Sequence, residues 1–312
     1  MADTNDLPYN RNAVFSRAPV LSAVAVTLLV SLVFYLVPQI DLAVAGLFYV
    51  PGKGFPAAHV PLLQDFRTYA SNISLSLPLL ALIGLVLKLS FPAKRSLLPP
   101  RLALFFVPLF LLGPGLLVNG ILKPYWGRPR PINVTEFGGP WPFGDPWVIG
   151  PSGLGNHSFS SGEAATTACL LPLILFLPRE WRGPVGGLIG LFVAAVGLNR
   201  IAFGGHFLSD VVISVGLMLV LAAVLHHLIF VRYRETLSDA ALEIRLTALG
   251  YRMADQRAQF RHWLRRTLAT TYRSARNLRR AERALHPGAA ARAAAMDGPT
   301  GSVSAPTGTN PP

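Results

Sequence analysis

The sequence predicts an all-α, polytopic membrane bundle of about six transmembrane helices with a cytoplasmic amphipathic helical tail. Three observations carry that expectation. The 312 residues are 52% hydrophobic and 14% charged, whereas a water-soluble domain carries roughly 25% charged residues. The charge is uneven: stretches between Ala18 and Phe230 are nearly free of it, and the segment after Val231 is dense in arginine. Six apolar windows approach the roughly 20 residues needed to cross a bilayer.

The first window, Ala18–Val37, is continuously apolar and follows Arg11 and Arg17. A cleaved signal peptide is the rival reading, with Ala43-Val44-Ala45 as the cleavage-like site, but the apolar core exceeds the roughly 7–15 residues of such a signal. Segment 38–72 mixes Leu47, Phe48, Tyr49 and Phe55 with Asp41, Asp65 and Arg67 and reads as one or two short interfacial helices. Ile73–Leu89 and Leu102–Leu122 flank Lys94, Arg95 and Arg101. Ala164–Leu177 and Val185–Leu198 are short, and they span only if each continues into a semi-polar motif at one end. Phe207–Phe230 closes the bundle. The expected organisation is a cytoplasmic N-terminus (1–17), a membrane domain (18–232), a basic amphipathic helical segment (233–286) and a disordered tail (287–312).

If the spans alternate, the Lys and Arg clusters before the first span, between the second and third, between the fourth and fifth, and after the sixth share one side. The excess of basic residues marks that side as cytoplasmic. Both termini are then cytoplasmic, and the connections 38–72, 123–163 and 199–206 face outward, toward the periplasm of a bacterial inner membrane. The formal net charge of +13 belongs largely to the tail and the short loops; in the tail Ile244, Leu249, Phe260, Trp263, Leu264 and Leu268 interrupt a basic background. That pattern suits anionic lipid headgroups. It does not suit nucleic acid, because nothing pairs the charge with a recognition fold. The single cysteine, Cys169, allows neither an intramolecular disulfide nor a thiolate metal cluster.

Three outward clusters carry chemistry. Lys123 ends the third span and leads into Pro124-Tyr125-Trp126-Gly127-Arg128-Pro129-Arg130-Pro131, a proline-stiffened basic lip. Snorkelling and aromatic anchoring alone would explain it, but charges at this depth also mark a bound anion. The second cluster is Asn156-His157-Ser158-Phe159-Ser160-Ser161-Gly162-Glu163, directly before the fourth span. Ser160 or Ser161 can cap that helix, whose free N–H groups suit a phosphate; plain capping is the bland alternative. The third runs from Asn199-Arg200 through Gly204-Gly205-His206 to Asp210. At i and i+4 on a helix, Asp210 can accept a hydrogen bond from one His206 nitrogen and leave the other as nucleophile or base.

Together these residues resemble the type 2 phosphatidic acid phosphatase superfamily. Its pattern has Lys, six residues, Arg-Pro; then Pro-Ser-Gly-His; then Ser-Arg, five residues, His. Lys123 with Arg130-Pro131 matches the first part, and Arg200 with His206 the third, with Asn199 in place of Ser and Asp210 as the downstream aspartate. The second part departs: Ser160-Ser161-Gly162-Glu163 puts Glu163 where the family has its general-acid histidine. The resemblance covers roughly residues 18–230.

The resemblance implies that His206 attacks phosphorus and forms a phosphohistidine that water hydrolyses, with Asp210 orienting the imidazole. Lys123, Arg130, Arg200 and the backbone N–H groups of Ser161 and Gly162 would hold phosphate oxygens, with Arg128 as a secondary contact. No cofactor and no metal are implied. Three accounts of leaving-group protonation stay open: a protonated Glu163, His157 swinging in, or a leaving group that needs little help. The implied substrate is a membrane lipid. Relatives act on undecaprenyl diphosphate, phosphatidylglycerol phosphate, phosphatidate or lipid A phosphates, and the Ser-Gly-Glu variant is similar to some lipid A phosphatases. A lipid-to-lipid phosphotransferase and a non-catalytic lipid-phosphate binder are the alternatives.

Overall fold

The computed structural model describes residues 19–150 and 157–285. The expected cytoplasmic N-terminus (1–17) and disordered tail (287–312) lie outside the described residues. Among these, helices are the regular elements; two isolated bridges, Val50 to Gly54 and Val134 to Trp141, lie in connections. In chain order the helices are α1 (Pro19–Leu36), α2 (Gln39–Gly46), α3 (Pro61–Ser90), α4 (Pro100–Phe110), α5 (Lys123–Trp126), α6 (Gly162–Ala168), α7 (Arg179–Ala202), α8 (Leu208–His226) and α9 (Asp239–Leu285). A π-helical stretch, Leu111–Leu122, joins α4 to α5. Within it Asn119 Nδ2 donates to the Pro114 carbonyl at 2.7 Å, satisfying a backbone group that hydrocarbon could not.

Among the described residues five segments are long and apolar enough to cross a membrane: Pro19–Leu36, Pro61–Ser90, Pro100–Asn133, Arg179–Ala202 and Leu208–Arg232. The protein is an all-α, multi-pass membrane bundle. The fourth expected span is shorter than the rest. Helix α6 ends at Ala168 and the chain continues as a 3₁₀ turn, Leu171–Phe176, with Pro172 near its start. Proline cannot extend the α-helical ladder, and the 3₁₀ turn gains length per residue. The second span departs in the other direction. It starts at Pro61, so residues 61–72 are the first turns of α3 and not a separate interfacial helix. Pro61 at the first helical position favours that start.

Small residues set the closest helix contacts, as expected where lipid replaces water. A Cβ on Gly216 of α8 would lie 2.8 Å from Thr27 of α1, and one on Gly197 of α7 would lie 2.6 Å from Val211 of α8. Phe105, Phe106, Leu109, Val118 and Met218 form the buried core, joined by ring contacts of Phe105 with Phe176 and Phe230. Leu28 and Leu29 of α1, Leu79 and Leu80 of α3, and Leu188 and Leu191 of α7 are exposed. That much outward leucine is favourable only against acyl chains.

The C-terminal end of α3 is pinned by charge. The buried Lys88 ammonium donates to the carbonyls of Pro92 and Lys94 and pairs with Glu243 at 2.7 Å. Burial alone would raise the Glu243 carboxyl, but hydrogen bonds from Lys88 and Ser96 outweigh it and hold the carboxyl below its usual range. The described residues up to Gly250 form one unit and those from Tyr251 another. In the second unit, Phe260, Trp263, Leu264, Leu268 and Leu278 are all exposed along α9.

Candidate active site

Three connections build the site, and backbone hydrogen bonds tie them in pairs. Ser158 N–H donates to the Arg128 carbonyl at 3.0 Å, Ile132 N–H to Gly204 at 3.1 Å, and Ser161 N–H to Asp210 at 3.3 Å. The basic lip, the segment before α6 and the turn before α8 are therefore one cluster. Gly127 and Gly204, at φ of 63°, make the left-handed turns that let the lip leave α5 and the chain reverse into His206.

Beneath the cluster lies a buried ionic lattice. Arg128, 1% exposed, donates to Gly144 O (2.8 Å), Ser209 Oγ (2.8 Å), Asp210 Oδ1 (2.6 Å) and Asp41 Oδ2 (2.8 Å). Asp41 also accepts from Ser209 N–H at 2.8 Å. Burial pushes the Asp41 carboxyl above its usual range; Arg128 opposes that and Asp210 adds to it. Asp210 Oδ2 accepts from Ser158 Oγ (2.6 Å) and from Phe207 N–H (2.8 Å).

Two expectations are corrected here. Arg128 is not a secondary phosphate contact, because four acceptors inside the protein occupy its guanidinium. Nor does Asp210 accept a hydrogen bond from His206: Nδ1 and Oδ2 are 3.9 Å apart. Helix α8 begins at Leu208 with Phe207 as its N-cap, so His206 precedes the helix and the i, i+4 geometry does not apply. His206 Nδ1 bonds instead to the Ser158 carbonyl at 2.7 Å. A carbonyl only accepts, so Nδ1 carries the proton and Nε2 of the neutral ring keeps its lone pair. Burial holds His206 well below its usual range, and Arg200 and Lys123 push the same way against the Ser158 bond. Asp210 acts on the imidazole indirectly, through Ser158 and the backbone N–H of Phe207.

The other cations surround this ring with few partners. Among the described residues buried Arg130 Nε and Arg200 Nη1 have no hydrogen-bond partner. Lys123 Nζ comes so near Gly162 that a Cβ there would be 3.0 Å from it, and Arg200 Nη2 would lie 2.5 Å from a Cβ on Gly205. Arg67, Arg130 and Arg200 line a cavity of about 480 Å³ together with Gln64, Thr68 and Gly205. Among the described residues Glu163 is the carboxylate paired with Arg67 and Arg200, so three arginines around one cavity keep an excess of positive charge that suits an anion.

Before α6, Ser161 is the N-cap, its Oγ accepting from Ala164 N–H at 3.4 Å. Its own N–H is spent on Asp210, so the backbone donors left at this helix start belong to Gly162 and Glu163, not Ser161. Glu163 is not placed as a proton donor. Its carboxylate accepts three hydrogen bonds from Arg67 (2.7, 2.9 and 3.1 Å) and lies 3.4 Å from Arg200 Nε, the setting of an ionised group. His157 Nδ1 donates to the Lys123 carbonyl at 2.7 Å, which joins it to the cluster with Nε2 free. Among the described residues no group of three or more His, Cys, Asp or Glu side chains could hold a metal ion. Sequence reasoning missed Arg67, Asp41 and Ser158. An acidic residue stranded in an apolar outward segment was the one signal pointing to Asp41.

Residues 103–234 match the model of the PAP2 superfamily. The chain is 34% identical over 203 residues to a lipid A 4'-phosphatase of Rhizobium leguminosarum, covering 58% of this chain and 84% of that one. It is 33% identical over 192 residues to a lipid A 4'-phosphatase of Francisella tularensis subsp. novicida (strain U112), covering 58% and 82%. A looser likeness joins it to the crystal structure of a PAP2 type phosphatidylglycerolphosphate phosphatase from Bacillus subtilis: TM-score 0.45, 22% identity, 68% of this chain and 96% of that chain. Helical bundle and relatives define a membrane lipid phosphatase. The chain belongs to the PAP2 superfamily.

Proposed function

We propose that this protein hydrolyses a phosphate ester of a lipid A-type glycolipid at the periplasmic face of the bacterial inner membrane, through a phosphohistidine on His206. One observation carries the chemistry: the neutral His206 ring, anchored through Nδ1 to Ser158, presents an Nε2 lone pair beside Lys123, Arg130 and Arg200. The lipid class follows the names of the relatives, and the periplasmic placement follows the distribution of Lys and Arg.

In the first step Nε2 attacks phosphorus and the bond to the lipid oxygen breaks as the N–P bond forms. Lys123, Arg130, Arg200 and the Gly162 N–H bind the non-bridging oxygens and offset their charge, the usual way to stabilise a phosphoryl transition state. The departing oxygen takes a proton. With Glu163 held by Arg67, His157 is the donor within the cluster, and an alkaline limb that survives His157→Gln would exclude it. In the second step water attacks the phosphohistidine and gives a proton back to His157 as the N–P bond breaks, which releases phosphate and returns the neutral His206 ring. Asp210 acts through Ser158, which it holds in place for Nδ1.

The test is phosphate release by purified protein across a lipid panel with His206→Ala as control. Trapping of labelled phosphate as an acid-labile, base-stable adduct should occur in wild type alone; wild-type turnover by His206→Ala would sink the proposal. The arginine-rich face of α9 is further proposed to rest on anionic lipid. Trp263 fluorescence should then shift to the blue in anionic nanodiscs and return with salt; no shift would dismiss that contact.

A further inference from the structure

Glu163 places a negative charge where the site must receive another. Its carboxylate lies 3.4 Å from Arg200 Nε, and Lys123 Nζ sits against the neighbouring Gly162. Left to itself, this carboxylate would draw Arg200 and Lys123 toward it and repel a phosphate dianion. It is not left to itself. Arg67, from the first turns of α3 and 96 residues earlier in the chain, grips both carboxylate oxygens, through Nε to Oε1 and Oε2 and through Nη2 to Oε1. The same guanidinium lines the cavity shared with Arg130 and Arg200.

We infer that Arg67 is a positioning residue that neutralises Glu163 and thereby frees Arg200 for the substrate phosphate. Arg200 exchanges one anion for another as phosphate arrives: its contact to Glu163 is given up, Arg67 keeps the carboxylate, and no covalent bond changes. Glu163, at the place of the family's acid, is a resident counter-ion shared by Arg67 and Arg200. This rests on the phosphate-site reading above.

A tie that merely joined α3 to α6 would be broken equally by loss of either partner. Charge neutralisation makes the two partners unequal. Arg67→Gln leaves the carboxylate free to compete for Arg200, whereas Glu163→Gln removes the competitor. The experiment measures equilibrium binding of labelled inorganic phosphate to purified full-length protein, with lipid turnover in parallel. Arg67→Gln should weaken phosphate binding roughly tenfold, a coupling within the range seen for contacting charged side chains and moderated by the exposure of Arg67. Glu163→Gln should bind phosphate at least as tightly as wild type, and the double variant should follow Glu163→Gln. Arg67→Lys, which keeps the charge, should recover most of the loss.

Equal weakening in both single variants would overturn the inference in favour of a structural tie. A double variant as weak as Arg67→Gln would overturn it in favour of direct phosphate contact by Arg67. Binding is read independently of catalysis. A wild type that shows this coupling but releases phosphate from no lipid therefore fails the phosphatase proposal and leaves the role of Arg67 standing.

Discussion

Replacing Arg128 by lysine tests whether the lattice under the site is held by one guanidinium. That group bridges Asp41 and Asp210, and also serves Ser209 and Gly144, from a fully buried position. A lysine keeps the charge, but its three donors radiate from one atom and cannot reproduce the planar fork. At least one of the four acceptors loses its donor. A buried acceptor left unpaired costs about 1–3 kcal/mol, and more when it is charged, so Arg128→Lys should lower stability by roughly 2–4 kcal/mol. Arg128→Met removes the charge as well and leaves two buried carboxylates uncompensated, a loss of about 3–5 kcal/mol or more.

The Met variant should also be more sensitive to pH. The Asp41 carboxyl is already raised above 3.8 in the folded protein, so it gives up its proton at higher pH when folded than when unfolded. Stability tied to that proton is present below the unfolded value and is lost as pH rises through the native one. Without Arg128 the native value climbs further, and the deficit against wild type should widen with rising pH above 3.8. The assay is apparent melting in detergent, followed by labelling of the lone buried thiol, Cys169, at several pH values. If Arg128→Lys melts like wild type while phosphate affinity falls, the lattice argument is wrong and Arg128 is a phosphate ligand after all.

Two further outcomes follow from the geometry. Because burial, Arg200 and Lys123 hold His206 well below 6.5, and only the neutral ring attacks, the acid limb of kcat/KM should have its midpoint below 6.5; Lys123→Gln should move it upward, and a limb unmoved by that change would refute the coupling. Gly162→Ala places a Cβ 3.0 Å from Lys123 Nζ and from Asn119 Oδ1; displacing the ammonium should cost about ten- to a hundredfold in kcat/KM with melting unchanged, and full activity would show that Lys123 is not positioned there.

How far the site was legible depended on whether a residue's partner is close in sequence. Lys123, Arg130, Arg200 and His206 stood out because a charge at the end of an apolar window needs a reason whatever the fold. Their convergence needed only alternating spans. Asp210 was recognised but its bond was not, because the i, i+4 rule assumes both residues are helical and His206 comes before the N-cap. Arg67 was hidden by the hydropathy window itself: Gln64, Asp65, Arg67 and Thr68 lower the apolar average, so the second span seemed to begin at Ile73 although α3 begins at Pro61.

Arg128 and Arg130 show why the remainder could not be read locally. They are the same residue type, two positions apart in one proline-rich lip, and no rule of spacing or propensity separates them. What separates them is Asp41, 87 residues before Arg128. A buried carboxylate on α2 draws one guanidinium inward, where Asp210 completes its neutralisation, and the other lines the cavity with its Nε unpartnered. Turning Arg128 toward the cavity with no cation in its place would leave Asp41 and Asp210 unpaired, a penalty of several kcal/mol. The assignment of one arginine to structure and the other to the anion site is therefore a consequence of charge balance across distant segments. A variant such as Asp41→Ala should damage the site through Arg128, at a distance from every group proposed to touch phosphate.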